Sequence, residues 1–104
     1  MSEVCVSIID DAEKKKYISL LTENLLVLRT KAGLTQNLLA NYIGVSRQTY
    51  SSIECRQKNM SWSVYMSLIF VFDSISETHD FLRMIQVFPD TLLEKLNSEK
   101  EINK

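Results

Sequence analysis

Proline occurs once in this sequence and glycine twice. So few breakers leave no supply of the tight turns that hairpins and meanders need, and no room for a Pro- or Gly-rich linker. Histidine and tryptophan occur once each, and cysteine twice, at positions 5 and 55. Two distant cysteines form no CxxC pair, and with a single histidine they make no zinc set. They read as free, reduced thiols. No apolar run approaches the ~18 residues of a membrane span. The stretch MSEVCVSIIDDAEKKK turns from acidic to basic without a signal-peptide core or cleavage site, so the expected location is the cytoplasm. A charge excess is missing too, since 12 basic and 13 acidic side chains leave a net charge of −1. The totals alone do not advertise a nucleic acid as partner.

What is present points to helices. Across 104 residues, 45% are hydrophobic and 24% charged, the make-up of one globular domain rich in Leu, Ile, Met, Lys and Glu. Residues 1–11 form an amino-terminal tail; Val4, Val6 and Ile8 alternate, so a short strand or dimer arm stands beside a frayed end. Asp10 or Asp11 caps a first helix, in which Tyr17, Leu21, Leu25, Leu28 and Ala32 recur at steps of three and four until Gly33 stops it. Thr35 caps a second helix ending at Gly44, and Ser46 a third over about 47–55 with Tyr50 and Ile53 inward. Ser61 caps a fourth, WSVYMSLIFVFD, apolar nearly all round and therefore expected to be covered on several sides, with Trp62 in the core. Ser76 caps a fifth, SETHDFLRMIQVF, stopped by Pro89, and Asp90 a last one with Leu92, Leu93 and Leu96 as its stripe. There is no internal repeat and no low-complexity tract. The fold class is all-α.

Charge is unevenly placed. From residue 29 to 60, Arg29, Lys31, Arg47, Arg56 and Lys58 stand against Glu54 alone, a local balance of +4, while the rest carries seven basic and twelve acidic groups, or −5. Inside that basic segment, two helices are joined by so short a corner that they must meet steeply. Leu39, Ile43, Val45, Tyr50 and Ile53 supply apolar contacts, Ala40 permits close approach, and Gly44 accepts a left-handed backbone at little cost. Arg47, Gln48, Thr49 and Ser52 are left facing outward on the third helix. An α-helix fits the DNA major groove and presents its first residues to base edges, where Arg pairs with guanine, Gln with adenine, and the Thr methyl meets thymine. A solvated polar face is the bland alternative for the same residues.

The segment LRTKAGLTQNLLANYIGVSRQTYSSIE, residues 28–54, resembles the helix-turn-helix of phage repressor and Cro-type regulators, the XRE family. The likeness spans about residues 20–72. It implies a five-helix repressor-like domain, placed here at 12–74, with residues 75–104 as a carboxy-terminal extension of one or two helices that either enlarges the core or forms a dimer interface. It implies DNA binding as a dimer with the third helix in the major groove. By position, Arg47, Gln48 and Ser52 face bases, with Thr49 and Ser46 near bases or backbone. Gln36, Arg56, Lys58 and Asn59 lie near phosphates, and Lys31 is a peripheral contact. Arg29 and Glu54 match a structural salt bridge of the family. Tyr50 is bulkier than the aliphatic residue common there, and the fourth helix is more apolar than the domain alone requires.

The expected function is a sequence-specific DNA-binding transcriptional regulator, a dimeric repressor or autoregulator. The alternative is a protein-interaction module, such as an antitoxin, holding a partner through its carboxy-terminal apolar helices. An enzyme is disfavoured, because no acid–base pair, nucleophile set or metal cluster converges in the sequence. His79 reads as a partly exposed polar residue, and Lys14 to Lys16 as a solvated face. No cofactor or metal is implied, and double-stranded DNA and a second copy are the expected partners.

Overall fold

Asp10 starts the first helix by bonding to its free end. Its Oδ1 accepts the Glu13 N–H at 2.8 Å, and the Glu13 carboxylate reaches back to the Asp10 N–H. This reciprocal cap satisfies two donors that the helix cannot satisfy itself. The helix, α1, runs Asp11–Ala32 in a computed structural model that describes residues 10–87, 94 and 96–98. Thr35, Ser46 and Ser61 cap α2 (Gln36–Ile43), α3 (Arg47–Glu54) and α4 (Trp62–Ser74), each side-chain oxygen accepting the N–H three residues on. The chain continues into α5 (Ser76–Met84), and residues 94 and 96–98 are helical as well. The expected strand or arm at Val4, Val6 and Ile8, the thiol of Cys5, the stop at Pro89 and the Asp90 cap with Leu92 and Leu93 lie outside the described residues.

Four of these helices end in one way. After α1, the Gly33 N–H bonds the Thr30 carbonyl and the Leu34 N–H the Arg29 carbonyl. The same pair of bonds recurs at Gly44 and Val45, at Arg56 and Gln57, and at Gln86 and Val87. Each is a Schellman ending, which needs one left-handed residue. Gly33 and Gly44 take that position at φ 72° and 77°, and Arg56 and Gln86 at 65° and 62°. At the glycines an added Cβ would meet nothing within 4 Å, so the demand there is on φ and not on space.

Two boundaries differ from the sequence expectation. Ser76 does not cap α5. Ile75 holds the junction in extended conformation at φ −98°, while the Ser76 hydroxyl bonds Glu77. The buried Thr78 hydroxyl donates to the Phe72 carbonyl at 2.6 Å, which ties the new helix to the old one. Nor does α5 run to residue 88; it stops at Met84 because Gln86 turns left-handed.

The core is one cluster. Tyr17, Leu21, Leu25 and Leu28 of α1 meet Leu39 and Ala40 of α2, Tyr50 and Ile53 of α3, Met60, the α4 residues Tyr65, Leu68, Ile69 and Phe72, and Leu82 and Val87. α4 packs against α1, α2 and α5, and α1 also touches α3 and α5. The Tyr65 hydroxyl donates to the Val87 carbonyl, anchoring the chain beyond α5. Burial, then the neighbouring Tyr17, pushes the Tyr65 phenol above its ordinary range, so it stays a donor. Trp62 is only half-buried, stacked on Tyr65 at 4.6 Å with the Lys14 ammonium 5.6 Å from its ring. α4 is covered on several sides, as expected, by α1, α2 and α5, while Phe70 stays 74% exposed.

Candidate nucleic-acid interface

The corner between α2 and α3 is three residues long. Gly44 closes α2, Val45 packs against the core, and Ser46 opens α3. The Ser46 Oγ accepts the Thr49 N–H at 3.0 Å and donates to the Thr49 hydroxyl at 2.9 Å. Its only hydroxyl hydrogen is thereby used, so the Ser46 hydroxyl donates to a phosphate oxygen only by giving up Thr49.

α3 divides cleanly by period. Tyr50 and Ile53 point into the core, and Arg47 and Gln48 lie exposed on the first turn. Thr49 and Ser52 are half-buried beside them. Among the described residues, neither the Arg47 guanidinium nor the Gln48 amide hydrogen-bonds another side chain. Both are free to meet a ligand.

What fixes α3 in place is Glu54. Its carboxylate accepts Arg29 Nε at 2.8 Å and Nη2 at 3.1 Å, Gln36 Nε2 at 2.9 Å and the Tyr50 hydroxyl at 2.8 Å. Arg29 also donates through Nη1 to the Leu34 carbonyl at 3.0 Å. One carboxylate therefore joins α1, the start of α2 and α3. Burial works against its charge, but the hydrogen bonds from Arg29, Tyr50 and Gln36 outweigh it and hold the Glu54 carboxyl below its ordinary range. The Arg29 guanidinium is held above its usual value by the same hydrogen bond, and burial together with Glu54 raises the Tyr50 phenol. All three stay in the protonation states that the bonds require.

This pairing shows where the basic segment's charge is expressed. Arg29 and Glu54 neutralise each other, so the local excess resides on Lys31, Arg47, Arg56 and Lys58, all exposed. The Lys31 ammonium rests 4.9 Å from the Phe81 ring. Arg56, Lys58 and Asn59, in the loop after α3, line a shallow cleft of about 220 Å³ against Ile18, Ser19, Thr22 and Glu23 of α1. Gln36 sits at the first turn of α2 with one amide hydrogen on Glu54, and the second is available to another acceptor.

Sequence reasoning did not find Gln36 and Tyr50 as ligands of Glu54. The Tyr50–Glu54 contact had a readable signal, an i,i+4 spacing on one helix. The Gln36 contact had none. Also missed was a second polar group, in which Asp73 receives Arg83 Nη1 at 2.5 Å and His79 Nδ1 at 3.0 Å. His79 thus serves the α4–α5 junction. Cys55 is a free, exposed thiol just past α3. Among the described residues, no His, Cys, Asp and Glu gather as a metal site, and no helix is long and apolar enough to cross a membrane.

Comparison with curated proteins and with solved structures gave no match. A family model does match: residues 25–54 fit the helix-turn-helix. Those residues cover the last turns of α1, all of α2, the corner and all of α3, ending on Glu54. Over residues 25–54, the chain is thus similar to the helix-turn-helix of the XRE family of DNA-binding transcription regulators.

Proposed function

We propose that the chain is a sequence-specific regulator that binds its operator as a homodimer in the cytoplasm and acts as a repressor or autoregulator. The observation that carries this reading is the exposure of Arg47 and Gln48 at the start of a helix whose other face is fixed through Glu54. Arg47, Gln48, Thr49 and Ser52 read base edges. Gln36, through its second amide hydrogen, and Arg56, Lys58 and Asn59 hold phosphates and set the register. Ser46 supports this from behind by orienting Thr49. One such helix reads only a few base pairs, and two related by a dyad read half-sites ~34 Å apart along the duplex.

The test is selection of bound sequences from random DNA at stated salt, followed by Gln48→Ala on the selected site. The variant is expected to lose about 1–3 kcal/mol and to relax preference at one base pair. Equal binding of parent and variant to selected and scrambled sites would remove Gln48 from base reading. A second reading, a protein partner held by the carboxy-terminal helices, is favoured by Met84, 70% exposed on α5. Co-purification of a second protein that is lost with Met84→Glu would support it.

A further inference from the structure

An apolar groove lies away from the base-reading residues. Leu34, Tyr42, Phe70, Val71, Ser74 and Ile75 line it, where the last turn of α2 meets the second half of α4. Leu38, one turn before Tyr42, and Met66, one turn before Phe70, extend the same two helix faces and are exposed. None of Arg47, Gln48, Thr49 or Ser52 belongs to it.

We infer that this groove is where a second copy of the chain docks, Phe70 of each copy seating in the groove of the other. The inference rests on the dimeric reading above and gives it a surface. Three observations select a second copy as the occupant. First, area: Phe70 at 74% exposure and Tyr42 at 62%, with Leu38 and Met66, present roughly 400 Å² of apolar surface. A standard interface buries about 800 Å² per partner, a little over half of it apolar, so the patch is the size of one such apolar share. Second, shape: a projecting ring stands directly beside a depression. A two-fold axis needs that arrangement, because each surface must be its own complement. Third, charge: no Asp, Glu, Lys, Arg or His lines the groove. A dyad brings like residues together, and a charged lining would repel its own copy. The nearest carboxylate along α4, Asp73, is already paired with Arg83 and His79.

The experiment is sedimentation of the full chain, without DNA, over a range of micromolar concentrations. Parent, Phe70→Glu, Tyr42→Glu and Met84→Glu are compared, with circular dichroism melts to establish that each is folded. Both substituted groove residues are exposed, so the fold is expected to survive. The parent is expected to dimerise, and Phe70→Glu and Tyr42→Glu to weaken the dimer by about thirtyfold or more, as loss of a central anchor does. Met84→Glu, on the last turn of α5 and roughly 13 Å along the chain's helix from Ile75, is expected to leave it intact. A parent that stays monomeric, a dimer indifferent to both groove variants, or a dimer lost with Met84→Glu alone would each overturn the inference. Because no DNA is present, such a result leaves the base-reading assignment standing, and failure of Gln48→Ala would leave the dimer surface standing.

Discussion

Replacing Glu54 with alanine removes one acceptor from three donors on three helices. The Arg29 and Glu54 side chains are 17% and 10% exposed, and the Tyr50 ring is fully buried, so water cannot restore all four bonds without opening the α1–α2–α3 contact. Breaking a fully buried ion pair from one side costs about 3–5 kcal/mol, and orphaning a buried hydroxyl about 1–3 kcal/mol. Residual access of water to the guanidinium offsets part of the first figure. The expected loss for Glu54→Ala is therefore about 3 kcal/mol. Glu54→Gln keeps the shape and one acceptor, and should lose about half as much. In a domain of this size each kcal/mol moves Tm by about 4–8 °C, so thermal unfolding of Glu54→Ala followed by circular dichroism should shift down by roughly 12–24 °C. A double-mutant cycle with Arg29→Met should return a coupling of about 1–3 kcal/mol. A loss below about 1 kcal/mol, with negligible coupling, would place the pair among ordinary surface ion pairs and refute the role given to it.

Other expectations follow from neighbouring features. Because the fold lowers the Glu54 carboxyl below its ordinary value of 4.5, its contribution is complete above that value and is lost as pH falls through the lower folded one; melts of Glu54→Gln should show less acid destabilisation than the parent, and equal acid sensitivity would contradict the assignment. Arg56→Gly relieves a left-handed non-glycine residue at φ 65° and should raise stability by about 0.5–1 kcal/mol while weakening DNA binding, both read on one preparation. Gly44→Ala meets no atom but inherits φ 77°, so it should cost about 1–2 kcal/mol in urea unfolding without altering the contacts around it. Lys58→Ala should reduce the salt slope of operator binding by about one unit per protomer, measured as affinity against salt concentration.

The helix starts at Thr35, Ser46 and Ser61 were legible because a cap is a single residue with a side-chain oxygen in a fixed place. The stops at Gly33 and Gly44 were legible for a similar reason, since glycine marks a left-handed position. Arg56 and Gln86 hold the same position without any such mark. Val87 directly after Gln86 and Met60 four residues after Arg56 are both buried, so each ending leads into the core, which local pattern does not contain. Ser76 misled because a serine near a helix start reads as a cap, whereas Thr78 makes the junction's bonds one residue after Glu77. On α4 the apolar pattern could not separate the buried Tyr65, Leu68, Ile69 and Phe72 from the exposed Phe70, because both sides carry the same residue types. In the candidate site, the outward position of Arg47 and Gln48 followed from the inward period of Tyr50 and Ile53. The bond from Gln36 to Glu54 crosses between two helices, and only their packing creates it.

The labour on α3 is split between two sets of residues that scarcely touch. Tyr50, Ile53 and Glu54 attach the helix, and Arg47 and Gln48 take no part in that attachment. Under the base-reading role proposed for positions 47 and 48, target preference can drift by exchange there while the scaffold stays silent, since exposed substitutions of this kind usually shift stability by no more than about 0.5 kcal/mol. Gene duplicates of such a chain could part company in what they recognise long before they differ in how they fold.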